Sequence, residues 1–315
     1  MNLDPNLVQN LAKIVVVDDE PCLRELLVDV LETEGYTVFG FASPLEALVD
    51  IEAIDPQIVI SDIQLPGMDG FEFLARVHKI LPKIQRVLIT AYDVDSYMNR
   101  ISSLGVGNIL TKGVPFNTSE LTTMVEQLLN RNIFGLEKHF SEQVAVERVA
   151  IRSPQEVDQL SLSLSEKYGN ANNVRKLRMV LVELMTNAIF YGAKNEDGED
   201  KSKWNRNFVL EEHEAIWVSH GQDADKIGIS ILDPGGKLNR DTVLYWLDRQ
   251  TTVSEVDGIP EGVLDSHGRG LYITRRSMDS FIINVERGKR CECIILNWIE
   301  SPPSIYKSLR INELE

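Results

Sequence analysis

The sequence predicts two domains in tandem. Over 11–131 it predicts an α/β doubly wound, parallel five-stranded domain, and over 151–300 an α+β two-layer sandwich with a mixed, largely antiparallel sheet. Three observations point there. At 315 residues and 43% hydrophobic composition the chain exceeds one ordinary core and suits two. In the first part five short strand-like runs, KIVVV, YTVFG, QIVIS, RVLIT and NILT, each precede a helix-like stretch, giving a repeated βα unit. In the second part strand-like runs come in neighbouring pairs, EAIWVSH with KIGISIL and SFIINVER with CECIILNWI, set among amphipathic helices. Residues 132–150 read as a helical connector in which Phe134, Leu136 and Phe140 extend the last helix of the first domain, and 301–315 as a C-terminal tail.

The first helix-like stretch places Leu23, Leu26, Leu27, Val30 and Leu31 at i, i+3, i+4, i+7 and i+8, one apolar stripe for packing on a sheet. The second domain opens on the strand VERVAI. Ser153 and Pro154 then start a helix that runs to about Tyr168, since serine caps the free amides of a first turn and proline tolerates it. Over Val174–Tyr191 the residues Leu177, Val180, Leu181, Leu184, Met185 and Ala188 share one helix face. A polar insertion from Lys194 to Asn207 carries Trp204, GQDAD reads as a hairpin turn, and a glycine- and acid-containing stretch from Thr251 to His267 leads into a helix over Leu271–Met278. Trp217, Trp246 and Trp298 read as core residues.

The net charge of −16 disfavours direct nucleic-acid binding and an anionic membrane surface, because their phosphates are repelled at long range. The N-terminus has no apolar signal core and no apolar run reaches membrane-spanning length, so a cytoplasmic location is expected. Cys22, Cys291 and Cys293 read as reduced thiols, the last two alternating on one strand.

On the predicted strands of the first domain, polar residues gather at four carboxyl ends: Asp18 and Asp19 after KIVVV, Asp62 after QIVIS, Thr90 in RVLIT and Lys112 after NILT. Ligands of doubly wound sheets bind at that edge. Three carboxylates make a hard oxygen site for Mg²⁺, Asp62 is placed to act as a nucleophile toward a phosphoryl group, and Thr90 and Lys112 can offset charge on the transferred oxygens. The motifs VVVDDEP, SDIQLPGMDGFEF, LITAY and LTKG resemble those of the response-regulator receiver family. That resemblance implies phosphorylation of Asp62 by an upstream sensor histidine kinase. Two positions depart from the family pattern. Gly113 stands where proline usually follows the lysine, and Ile109 stands where an aromatic residue usually turns inward on activation, which puts that route of signalling in question.

In the second domain Glu183 and Asn187 are i and i+4 on one helix, so they leave the same face and can address one ligand. The run ILDPGG sets Asp233 at a strand end before glycines, and HGRGL sets glycines at a helix start, where backbone amides can cradle phosphate. ELMTNAIFYG, DPGG and GRG in this order resemble the ATP-binding domain shared by histidine kinases, gyrase-type ATPases and anti-sigma-factor serine kinases, with the last group most similar. The resemblance implies that Asn187 holds Mg²⁺, that Asp233 binds the adenine amino group, and that Gly235, Gly268 and Gly270 border ATP beneath a lid from Thr251 to His267. It also implies that Glu183 is the general base toward a substrate serine. The usual Asp-x-Gly-x-Gly is altered, since the second glycine, Gly236, comes one position early.

Together these readings lead to an expected function: a response regulator whose output domain is an ATP-dependent serine kinase acting on a small STAS-type antagonist, with a sigma factor as a further partner and a homodimer compatible with the family. The alternative is a nucleotide-binding module that sequesters such a partner without turnover. A histidine-kinase reading is disfavoured, because a phosphotransfer hairpin needs about 60 residues of paired helix. The connector is far shorter, and its His139 reads as a surface helix residue.

Overall fold

The computed structural model describes residues 12–170, 173–193, 206–253, 260–264, 268–300, 302 and 304–314. The expected polar insertion, Trp204 included, lies outside the described residues except for Arg206 and Asn207, and so does most of the expected lid. The chain forms two compact units, Met1–Ile133 with Pro303–Leu309 and Phe134–Pro302 with Arg310–Glu315. No helix among the described residues is long and apolar enough to cross a membrane.

The first unit alternates β1 (Lys13–Val17), α1 (Pro21–Thr33), β2 (Thr37–Phe41), α2 (Pro44–Ile54), β3 (Ile58–Asp62), α3 (Gly70–Ile80), β4 (Gln85–Thr90), α4 (Met98–Leu104), β5 (Asn108–Thr111) and α5 (Thr118–Asn130). The strands pair in parallel in the order β2-β1-β3-β4-β5. The order reverses between β1 and β3, which opens a crevice at their carboxyl ends. Helix starts follow the side chains available to cap them. Ser43, Asp69 and Asn117 each accept a hydrogen bond from the amide three residues on, at Glu46, Glu72 and Glu120. The core joins Ile14, Val16, Ile58, Ile60, Val87 and Ile89 of the sheet to Leu27 and Leu31 of α1 and to Leu121 and Met124 of α5. Leu26 departs from the expected stripe. It is 39% exposed, because the buried face of α1 is the narrower Leu23–Leu27–Leu31 row.

The second unit contains β6 (Glu147–Ile151), α6 (Pro154–Tyr168), α7 (Val174–Asn187), β7 (Ile216–Gln222), β8 (Lys226–Asp233), α8 (Arg240–Thr251), α9 (Arg269–Ser277), β9 (Ser280–Glu286), β10 (Arg290–Trp298) and β11 (Leu309–Leu314). Its strands run in the order β11-β9-β10-β8-β7-β6, parallel only between β11 and β9. Ser153 and Glu156 close α6 reciprocally as a capping box. The expected buried face of α7, Leu177 to Met185, is buried, and the helix widens past Asn187 into an i→i+5 turn over Ala188–Ala193.

Four expectations need correction. Residues 132–150 are not a helical connector: the only helix there is the short 3₁₀ turn Leu136–His139, the chain joins the second unit from Phe134, and β6 begins at Glu147. The tail from 301 includes β11, which pairs with β9 and so completes the sheet. His139 is buried rather than a surface residue, at 8% exposure, and burial followed by the nearby charges of Arg310, Lys138 and Lys226 holds its imidazole well below the usual range. Trp217 is 38% exposed and carries the Arg148 guanidinium 4.4 Å above its ring instead of lying in the core.

Candidate functional site

In the first unit β1, β3 and β4 each end on one of the expected residues or just before it, and β5 ends one residue before Lys112. Lys112 Nζ lies 2.9 Å from Asp18 Oδ2 and 2.9 Å from Asp62 Oδ2. Asp18, Asp19 and Asp62 each present an oxygen within 4.8 Å of the others, Asp19 exposed and the other two buried. Thr90 is fully buried, its hydroxyl accepts from the Tyr92 amide at 3.1 Å, and its carbonyl accepts from the Lys112 amide at 2.7 Å, which ties the β4 and β5 ends together.

The surroundings fix the backbone of this cluster. Asp18 Oδ1 accepts from the Glu20 amide at 3.0 Å, and Arg24 donates to the Asp18 carbonyl at 2.6 Å. Gly70, at the start of α3, comes so close to β3 that a Cβ there would lie 2.0 Å from the Asp62 carbonyl oxygen. Burial raises the Asp62 carboxyl above its ordinary pKa, against the opposing hydrogen bond from Lys112. For Lys112, burial pulls the ammonium down, and its bonds to Asp62 and Asp18 outweigh that and leave it raised. Asp18 Oδ2 is buried and engaged by Lys112 at 2.9 Å, which leaves it a further lone pair for a cation. This donor set fits Mg²⁺, a hard cation that takes carboxylate oxygens and retains waters. Asp18, Asp19, Asp62 and Lys112 come together, and Thr90 is tied to them through its backbone bond to Lys112. Gly70 was missed, although the glycine of GMDG next to the acceptor motif was its visible signal.

In the second unit Glu183 and Asn187 face the N-terminus of α9. A Cβ on Gly270 would stand 2.8 Å from Glu183 Oε2 and 3.4 Å from Asn187 Nδ2, so a glycine admits both side chains. Gly268 caps α9 at φ 81°, and a Cβ there would meet the Trp246 ring at 2.9 Å. Along the wide turn after α7, Gly192 lies against Asp233, where a Cβ would be 2.5 Å from Asp233 Cγ. Gly235 is equally constrained, with the Gly192 carbonyl oxygen 2.0 Å from where its Cβ would be. Glu183, Asn187 and Gly192 thus line one continuous helix that links α9 to the end of β8.

Asp233 is buried, and its Oδ1 accepts from the amides of Gly235 at 2.9 Å and Gly236 at 3.4 Å. Burial pushes its carboxyl up to about 6, despite those two bonds. Burial and then the Glu183 charge raise the Tyr191 phenol, which places that ring within electrostatic reach of Glu183. Gly192 and Tyr191 were not singled out in the sequence, although they stand in the same FYG run.

The sequence profile of the response regulator receiver domain matches residues 14–126. Sporulation initiation phosphotransferase F of Bacillus subtilis (strain 168) is 35% identical over 117 residues, 37% of this chain and 93% of that protein. Response regulator GacA of Pseudomonas aeruginosa is 30% identical over 159 residues, 49% of this chain and 71% of that protein. Among solved structures, a CheY-like receiver domain protein from Methanospirillum hungatei JF-1 covers 38% of this chain and 95% of its own at 29% identity, with a TM-score of 0.36. With the match at 14–126 and an acidic, lysine-bridged crevice at the carboxyl ends of its parallel strands, this chain belongs, through its first unit, to the response regulator receiver family.

Proposed function

We propose that the chain is a response regulator that accepts a phosphoryl group on Asp62 from a sensor histidine kinase, and that its second unit is an Mg·ATP-dependent serine kinase acting on a small STAS-type antagonist. The observation that carries the first half is the single ammonium of Lys112 held 2.9 Å from both Asp18 and Asp62. In the transfer an Asp62 oxygen attacks phosphorus, the donor's P–N bond breaks, and the acyl phosphate that forms keeps Lys112 and the Thr90 hydroxyl beside its oxygens. Asp18, Asp19 and Asp62 would hold Mg²⁺, which would supply the remaining positive charge.

For the second unit the support is the convergence of Glu183 and Asn187 on Gly270, and of Asp233 on Gly192. On this reading Asn187 offers its amide oxygen to Mg²⁺ and Asp233 accepts from the adenine amino group. Gly235, Gly268 and Gly270 border the nucleotide. Glu183 takes the proton of the substrate serine as its oxygen attacks the γ-phosphorus and ADP leaves.

One observation favours sequestration without turnover. Gly236, at φ 56°, is wedged into the β9–β10 turn, with Glu286 O and Lys289 N each 2.5 Å from where a Cβ would be, and its carbonyl accepts from the Gly288 amide. The early glycine is thus committed to packing and is not a free hinge. Labelled γ-phosphate from Mg·ATP decides between the two. Label on the antagonist serine that disappears with Glu183→Gln supports the kinase, and tight ATP binding with no transfer supports sequestration.

A further inference from the structure

On β8, Gly228 and Asp233 are five residues apart and so point to opposite faces of the sheet. Asp233 faces Gly192 and the helices, whereas Gly228 faces the segment that begins at Phe134. A Cβ on Gly228 would lie 2.8 Å from Leu136 Cδ1 and 2.9 Å from Phe140 Cζ. At its register partner Gly221, a Cβ would lie 3.3 Å from Val144 and 3.4 Å from Phe140. Two paired glycines thus cut a groove for one aromatic side chain.

Buried carboxylates hold this segment at both ends. The Gly135 amide donates to Glu292 Oε2 at 3.0 Å, and the Ser141 amide donates to Asp223 Oδ2 at 2.9 Å. Lys226 Nζ bridges Asp223 Oδ2 at 3.2 Å and Ser141 Oγ at 3.0 Å. Glu292 is 4% exposed and also accepts from Ser230 Oγ at 2.6 Å and Asn284 Nδ2 at 3.1 Å, while Asn284 Oδ1 accepts from Asn312 Nδ2 at 2.8 Å. A buried carboxylate is tolerated only while its donors remain in place, and one of these donors belongs to the segment. Lifting the segment removes one of the three donors to Glu292 and leaves Oε2 with Asn284 alone, which loosens the carboxylate. It sits next to Cys291, the register partner of Asp233, and it grips Ser230, three residues before Asp233.

We propose that residues 134–141 form a relay strap, latched by Glu292 and Asp223, whose seating sets the affinity of the opposite sheet face for nucleotide at Asp233. The strap follows α5 of the first unit in the chain by only a few residues, which makes it the first of the chain's covalent links from the phosphoacceptor unit. Its output rests on the nucleotide reading proposed above. Two variants of the full chain test it, with amide exchange at Gly135 and Ser141 and the Kd for Mg·ATP as readouts. Gly228→Ala adds a methyl under the strap, and Phe140→Ala removes the strap's wedge while leaving the sheet intact.

Both variants are expected to speed exchange at the two amides about tenfold and to move the Kd in the same direction by about fivefold. Unchanged exchange in both overturns the latch, and faster exchange with an unchanged Kd overturns the relay. If the wild type binds no ATP, the nucleotide reading fails separately, and acetyl phosphate then decides the relay. Exchange at Gly135 that changes on phosphorylation of the wild type but not of Asp62→Asn supports it, and equal exchange overturns it.

Discussion

Lys112 joins Asp18 and Asp62 at 2.9 Å each across the ends of separate strands, and the third carboxylate, Asp19, stands beside them in the open. Glu183, Asn187 and Gly192 instead share one continuous helix, and they meet Gly270 and Asp233 only because glycines let backbone and side chain approach closely. In the first region the geometry is fixed by sheet pairing, and the one ammonium of Lys112 offsets only part of the charge of the three carboxylates, which leaves the cluster suited to a cation. In the second, burial dominates Asp233, the nearby Lys237 charge opposes it only weakly, and its carboxyl is raised to about 6. The first cluster is therefore poised for chemistry on its own carboxylate, and the second carries an electrostatic cost that a hydrogen-bond donor such as an amino group would relieve.

The contrast can be broken most sharply at the acceptor itself. Asp62→Asn should abolish phosphoryl uptake from acetyl phosphate, a loss of at least about 100-fold in the labelled fraction, because the nucleophile is gone. Next come the glycines. Gly70→Ala and Gly235→Ala each place a Cβ 2.0 Å from a backbone oxygen and should cost on the order of 3 kcal/mol in urea unfolding, the first in the receiver transition and the second in that of the other unit.

Asp233 sharpens the comparison through pH. Its folded pKa lies above the ordinary value, so its contribution to stability is fully present below about pH 4 and is lost as pH rises through about 6. Asp233→Asn should therefore match the wild type near pH 4 and exceed it by about 3 kcal/mol at pH 8, as read from denaturant midpoints. The smallest effect should come from Mg²⁺. Millimolar Mg²⁺ should stabilise the receiver by roughly 1–2 kcal/mol, and Asp19→Asn should remove most of that gain.

The receiver cluster was legible because each strand end delivers one residue to a common edge, so spacing along the chain translates into proximity. Leu26 was misplaced because helical periodicity gives the direction of a stripe but not its width. The connector was misread for a different reason. Leu136 and Phe140 stand at helical i, i+4 spacing, but they pack on Gly228, and Phe140 also on Gly221, glycines far along the chain with no side chain to advertise a contact. β11 was hidden because Arg310 and Asn312, both buried, stand where an apolar alternation was sought. α8 carries readable signals in the cap Asn239 and the buried Val243, Leu244 and Leu247, although its polar residues outnumber them. In the second site the i, i+4 pair was readable, and the packing of Gly192 on Asp233 was not, because the wide turn after Asn187 shifts Gly192 out of the helical register of that pair.

Intact mass of the full chain after incubation with acetyl phosphate and Mg²⁺ tests the central claim most directly. One phosphoryl adduct per chain on the wild type, absent from Asp62→Asn and sharply reduced in Lys112→Ala, is the predicted result. An adduct of equal yield on Asp62→Asn would contradict the assignment of Asp62 as the acceptor.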